Sequence, residues 1–201
     1  MLGKKYKEIY NGKLDERKEL AIEVNGGNFV LSDGNPYLVA KSRKEDGLRL
    51  KKTPGTLTIY GEDCSLEISY PKDTPLNIKV NGSALKLHGM SPKDYLKMAL
   101  RGANAELDSI DISKADTDMK LSGANVSGSI VLRDDAKSNL NVDVNGGTFD
   151  LGLHLPKGAG ISTTLVGSAI GSISVPESKE GKNGNLKLKI SCIGGVVKIK
   201  E

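Results

Sequence analysis

No tryptophan occurs among the 201 residues, and two phenylalanines and six tyrosines supply all the aromatic surface. So small a supply argues against a helix bundle built on a large aromatic core. Cysteine is nearly as scarce. Cys64 and Cys192 stand far apart, with no CxxC spacing and no adjacent histidine, which removes a zinc site and a disulfide framework. Each lies in an alternating apolar segment, so two buried free thiols are expected, with a single Cys64–Cys192 bridge as the alternative. No stretch approaches the roughly 20 apolar residues of a membrane span, and the N-terminus holds no signal-peptide core. A strong charge of one sign is missing as well. Lys and Arg number 29 against 25 Asp and Glu, a net charge of +4 that fits neither a disordered polyelectrolyte nor a dedicated nucleic-acid binder. As it stands the chain reads as cytoplasmic, or as associated with the cell envelope if an anchor belongs to it.

Glycine, by contrast, is plentiful at 24 residues, about 12% where ~7% is usual. A chain of this length can bury roughly 70% of its unfolded surface around one core, so residues 1–201 are read as one domain. Much of the glycine falls in a repeat. Ala21-Ile-Glu-Val-Asn-Gly-Gly-Asn-Phe-Val-Leu31 and Asn141-Val-Asp-Val-Asn-Gly-Gly-Thr-Phe-Asp-Leu151 share one pattern, and Asn77-Ile-Lys-Val-Asn-Gly-Ser-Ala-Leu-Lys-Leu87 is a weaker third copy. Apolar and polar residues alternate on both sides of each Asn-Gly, the period of half-buried strands. A lone unit would be a hairpin. Asn81, Asn104, Asn125, Asn145 and Gly167-Ser168, however, follow one another at steps of 20 to 23 residues. A constant step suits an all-β solenoid whose coils stack about 4.8 Å apart and change direction at Gly or Asn, which tolerate left-handed backbone.

Two segments resist this reading. Ser91-Pro-Lys-Asp-Tyr-Leu-Lys-Met-Ala-Leu-Arg-Gly102 has an N-cap serine, a proline at the first helical position and a glycine stop, so a short helix near 91–101 competes with a strand. Pro176 to Gly184 is polar, breaks the spacing, and reads with the next residue as a surface loop over 176–185. At the chain ends, the charged segment Lys4 to Glu19, within residues 1–20, reads as a cap, and the Lys-rich final strand as a guard on the other open edge.

Leu57-Thr-Ile-Tyr60, then Leu66-Glu-Ile-Ser-Tyr-Pro-Lys-Asp73 followed by Leu76-Asn-Ile-Lys-Val-Asn-Gly-Ser83, then Leu153-His-Leu-Pro-Lys-Gly-Ala159 and Gly194-Gly-Val-Val-Lys-Ile199 repeat one design. A strand ends in Pro-Lys, and a fresh strand and a small-residue corner follow. From Tyr37 to Ile199 this resembles the bacterial and archaeal adhesin-like domains of the toastrack type, related to the C-terminal domains of cell-wall stress-response proteins. The resemblance implies a single-stranded, right-handed β-helix, often attached to membrane-anchored or regulatory segments. The motifs consist of strand and turn residues and carry no catalytic signature.

A search for chemistry returns little. His88 and His154, the only histidines, lie in alternating strands, and no Gly-x-Ser-x-Gly, His-Glu-x-x-His or phosphate-binding glycine loop occurs. No catalytic residue is assigned, no enzyme activity is expected and no cofactor is implied. Among the acids Asp108, Asp111, Asp116, Asp118, Asp134 and Asp135, stacking of adjacent coils would bring Asp116 and Asp118 beside Asp134 and Asp135 as a candidate calcium or polysaccharide-active site, against a salt-bridged face as the alternative. Lys41, Arg43, Lys44, Arg49, Lys51 and Lys52 form a basic stretch that suits an anionic surface, or else a solvated strand edge. All six tyrosines fall in the same half of the chain, as a binding platform or as filling for a wider core. The sequence therefore reads as a non-enzymatic scaffold or interaction module with a protein or cell-envelope partner, no nucleic acid, and a monomeric or small oligomeric state. A polysaccharide-binding or polysaccharide-active β-helix using the aspartates is the second reading, and an anionic-surface binder the third.

Overall fold

Alternating side chains place one apolar set on a single side of an extended chain, and burying that set is what stacks the strands. The computed structural model describes residues 5–201, apart from the side chains of 167–170. In chain order its strands are β1 (Lys7–Lys13), β2 (Glu19–Asp33), β3 (Tyr37–Ser42), β4 (Leu48–Lys52), β5 (Thr56–Tyr70), β6 (Leu76–His88), β7 (Lys93–Arg101), β8 (Asn104–Asp111), β9 (Lys114–Val131), β10 (Lys137–His154), β11 (Gly160–Ser174) and β12 (Asn185–Lys200). The described residues form no helix, and no helix is long and apolar enough to cross a membrane. The expected turn at Gly167-Ser168 and the expected first cap residue, Lys4, lie outside the described residues.

The long strands pass through the Asn-Gly sites without ending there. Asp63, Gly26, Gly82, Gly102, Gly123, Gly146 and Gly194 have φ between 49° and 73°, and the strand registers set them side by side as one column of corners. Each corner divides its strand into a first and a second arm. The turning residue follows an asparagine only at Gly26, Gly82 and Gly146, so the asparagines counted in the sequence belong to more than one column. Along the first arms Leu57, Leu20, Leu76, Leu96, Thr117, Leu140 and Leu188 are in register, and all are almost fully buried. Each such leucine contributes about 1.5–3 kcal/mol over its exposed state. From Leu76 through Leu96 and Thr117 to Leu140 the register advances by 20, 21 and 23 residues. Buried residues of both arms join one hydrophobic cluster.

The parallel layers run β5, β2, β6, β7 with β8, β9, β10, β12, β11. Residues β7 and β8 contribute are the two arms of one layer broken at Gly102-Ala103, so β6, β7, β9 and β8 form a ring of parallel pairings. Two layers are out of chain order. β2 sits between β5 and β6, and β12 sits between β10 and β11. At the β5 end, β4 lies antiparallel on the first arm, β3 antiparallel on the second, and β1 antiparallel on β3.

Two expectations change, and a third, the pair of buried free thiols, is met. Residues 93–101 are the strand β7 and not a helix, because Leu96, Met98 and Leu100 enter the core while Lys97 and Ala99 face out, and β6 and β9 supply hydrogen-bond partners on both sides. The Lys-rich final strand guards no edge, since β12 is an interior layer and β11 is outermost. Cys64 and Cys192 are buried and free. They lie on β5 and β12, six layers apart, about 29 Å at a ~4.8 Å spacing, which rules out the bridge. The polar segment Pro176 to Gly184 is irregular, apart from a bridge between Lys179 and Ile161.

Candidate functional site

The basic stretch is largely satisfied from within. Lys44 pairs with Glu62 and Asp63, and Lys52 reaches Asp15 at 2.9 Å. Arg43 lies 4.8 Å from the Tyr6 ring centroid and Arg49 5.8 Å from that of Tyr60. The strand β4 presses this segment onto β5, so its cations meet the acids and rings of that covered end. Lys41 and Lys51 are exposed and take no part in the ion pairs of the described residues.

Four of the six acids are likewise engaged by a residue of an adjacent layer. Asn139 and Asn141 on β10 donate their amides to Asp116 and Asp118 on β9, both at 2.7 Å. Asp108 meets His88 at 2.6 Å; the His88 contact outweighs burial and holds that carboxyl below the usual range. Asp134 and Asp135 occupy the exposed turn between β9 and β10. No group of three or more His, Cys, Asp or Glu gathers at metal-binding geometry among the described residues. The four candidate metal ligands thus split between a strand face paired to asparagines and a separate turn.

Asp111 is the buried acid of the set, 6% exposed, and pairs with the Arg133 guanidinium. Burial pushes its carboxyl up, but Arg133 together with the Ser113 hydroxyl and N–H outweighs burial and holds it below the ordinary carboxylate range. A depressed folded-state pKa adds stability that is complete above the unfolded value, about 3.9, and is lost as pH falls through the folded value. Arg133→Gln removes the main opposing charge and lets burial raise that folded value. Its acid-unfolding midpoint, followed by far-ultraviolet circular dichroism between about pH 6 and pH 2, is expected at higher pH than that of the wild type. Superimposed curves would show that the pair does not set acid stability.

Of the tyrosines, only Tyr70 fills the core. Its hydroxyl accepts the Arg17 N–H at 2.7 Å and donates to the Asp15 carbonyl at 3.0 Å, pinning the chain that leads into β2. Tyr10 and Tyr37 bond the Lys13 carbonyl and Asn11, and Tyr95 stands 4.7 Å from the Lys97 ammonium. Burial, with the Glu19 carboxylate beside it, pushes the Tyr95 phenol up to about 12. The rings are spread over the β5 end and the first-arm face and form no single platform.

A site that sequence reasoning missed lies on that first-arm face. Across the layers Glu23, Lys79, Ala99, Lys120 and Asp143 stand in one row. The small Ala99 side chain leaves a depression lined by Lys79, Arg101 and Lys120, with Asn81, Ser122 and Asn145 along one side. Lys97 flanks Ala99 two residues away on β7. Lys79 and Lys120 are two layers apart, about 10 Å, and Lys97 and Arg101 about 13 Å apart along the strand. None of these four cations enters an ion pair within the described residues; Asp143 also lines the depression, beside Lys120, and Glu23 and Asp118 stand at its margin as lateral neighbours. A ring of ammonium and guanidinium groups beside amides and a hydroxyl suits an anionic group carried on a hydroxylated frame. The signal in the sequence is the spacing of Lys79, Ala99 and Lys120, 20 and 21 residues, the register step itself.

No family model matches the chain, and no curated protein matches its sequence. Solved structures do. A "putative cell adhesion protein" from Clostridium sporogenes ATCC 15579 aligns over 98% of this chain and 99% of its own at 12% identity, with a TM-score of 0.46. A "putative adhesin" from Bacteroides fragilis NCTC 9343 aligns over 98% of this chain and 97% of its own at 13% identity, with a TM-score of 0.54. The chain shares, over nearly its whole length, the fold of the Bacteroides fragilis protein.

Proposed function

We propose that the protein is a non-enzymatic, adhesin-like interaction module of toastrack type, a right-handed β-solenoid that holds an acidic saccharide of the cell envelope on its first-arm face. The observation that carries this reading is the cluster of Lys79, Arg101 and Lys120 around Ala99, with Lys97 two residues away on the same strand, on a surface stiffened by hydrogen bonds on both sides of β7. Parallel registers advancing by 20 to 23 residues support the solenoid. The chain's likeness to the "putative adhesin" from Bacteroides fragilis supports the adhesive role. Rigid strands hold the cations at fixed spacing, so little ordering is needed on binding, which suits a repetitive acidic polymer.

Titration calorimetry with uronic-acid oligosaccharides at two salt concentrations tests the reading. Lys79→Glu with Lys120→Glu is expected to weaken binding at least about tenfold, or 1.4 kcal/mol, and raised salt is expected to weaken the wild type. Lys51→Glu, at the covered end, should bind as the wild type does. Equal affinity in all three proteins would refute the site, and release of shortened saccharide would refute the non-enzymatic assignment.

A further inference from the structure

The second arms carry a depression of their own, made by a gap in a ladder of side-chain amides. Two residues past the corners, Asn28 on β2, Ala84 on β6, Asn104 on β8 and Asn125 on β9 stand in register on successive layers, and all four are exposed. Where two asparagines occupy adjacent layers they bond: Asn125 donates its amide N–H to Asn104 Oδ1 at 3.0 Å, and in the corner column Asn81 donates to Asn25 Oδ1 at 2.6 Å. Stacked amides of this kind form a continuous ladder, and Ala84 interrupts it. Packing does not require a small residue there, because Ala84 faces solvent while Leu85 beside it enters the core. An amide whose oxygen is engaged from the β9 side presents its NH2 on the other side, toward β6. Asn104 and Asn28 therefore face each other across Ala84, two layers or about 10 Å apart.

The space between them is a depression with Val30, Ser127 and the Lys86–Glu106 pair on its walls. Lys86 and Glu106 are its only charged lining residues, and they neutralise each other at 2.8 Å. Val30 is a β-branched side chain left 38% exposed among these polar groups. The depression thus combines amides, a hydroxyl and an apolar patch with no uncompensated charge, the opposite of the cationic surface around Ala99.

We propose that this depression is a second binding site, which takes a neutral, hydroxyl-bearing sugar ring in the place of the amide missing at Ala84. A hydroxyl both accepts and donates, so one ring can accept from the Asn104 NH2 on one side and bond the Asn28 amide on the other, with its C–H face on Val30. A carboxylate or phosphate cannot donate, and it finds no cation here that is free of its own acid. An ammonium cannot accept from the Asn104 NH2. Sites for small ligands have this composition, an apolar surface with a few convergent polar groups. The site goes beyond the acidic-saccharide reading, since it lies on the other arm and shares no residue with the Ala99 depression.

Proton–nitrogen NMR of the full chain, titrated with neutral oligosaccharides of glucose and of N-acetylglucosamine to about 20 mM, tests the proposal. The expected result is a saturable shift of the Asn28 and Asn104 side-chain amides that raised salt leaves unchanged. Ala84→Asn fills the gap with the missing amide and should weaken binding at least about tenfold, with unchanged circular dichroism. Asn104→Ala, which removes the donor and adds no bulk, should do the same. Lys79→Glu with Lys120→Glu should bind these neutral probes as the wild type does. No saturable shift at the two asparagines, shifts centred on another surface, wild-type affinity in Ala84→Asn, or binding that falls steeply with salt would each overturn it.

Discussion

Gly147→Ala is expected to cost more than about 4 kcal/mol, enough to abolish cooperative folding or to lower Tm by more than about 10 °C. Gly147 has a φ of +98°, which an L side chain rarely adopts. A Cβ there would lie 2.0 Å from the Ala124 carbonyl oxygen and under 3 Å from the Ala124 nitrogen and carbonyl carbon. These are backbone atoms of the adjacent layer. Both arms of β9 and β10 are paired in register around this point, from Leu140 opposite Thr117 to His154 opposite Val131, so neither strand can withdraw without breaking its ladder. Gly123 supplies the comparison. It is a corner glycine with φ +58°, but a Cβ at that position meets nothing within 4 Å. Gly123→Ala carries only the left-handed backbone cost of about 1–2 kcal/mol, or roughly 2–8 °C in Tm. Scanning calorimetry of the two variants separates corner conformation from interlayer contact. Similar losses would mean that backbone conformation alone fixes the corners.

That contrast also shows what the sequence can convey. Both glycines stand in small-residue corners, and nothing in the local pattern distinguishes the one pressed against a neighbouring layer from the one facing solvent. Strand content was legible because alternation is local: Leu76-Asn-Ile-Lys-Val buries Leu, Ile and Val as its pattern says. The register step was legible between Leu76 and Leu140 for the same reason, once similar units were compared. Layer order was not. Every first arm offers an equivalent apolar ladder, so nothing local tells β2 to lie between β5 and β6, or β12 between β10 and β11. In 91–101 the helix signals Ser91 and Pro92 are genuine end markers, but the neighbouring layers hydrogen-bond this stretch on both sides and override a weak local preference.

Side-chain pairing follows the same division. His88 with Asp108 and Lys86 with Glu106 are each 20 residues apart, and Asp116 with Asn139 and Asp118 with Asn141 are each 23 apart. An acid that looks available in one dimension is therefore engaged by the residue one layer on. The Ala99 depression is the converse case. Its cations come from three different layers, and only alignment by register brings them together.

Phe149→Ala is expected to destabilise the fold by about 3–5 kcal/mol. Phe149 is fully buried and lies in register between Val126 on β9 and Val197 on β12. Those strands are tied to it by continuous ladders on both sides, so they cannot close over the space that the ring vacates. In a chain with only two phenylalanines, no second ring adjoins it in register to swing in. Phe149→Leu keeps most of the volume and should cost less than about 1.5 kcal/mol. The cavity left by alanine would be lined by apolar groups and stay dry, so a small apolar solute such as benzene should recover part of the lost Tm while leaving the wild type unmoved. Equal stability of the alanine and leucine variants would mean that the layers do collapse around the site. Because Phe149 sits on a second arm and the Ala99 ring on the first-arm face, saccharide binding by folded Phe149→Ala should match the wild type well below its Tm, separating the core that holds the layers in register from the surface they present.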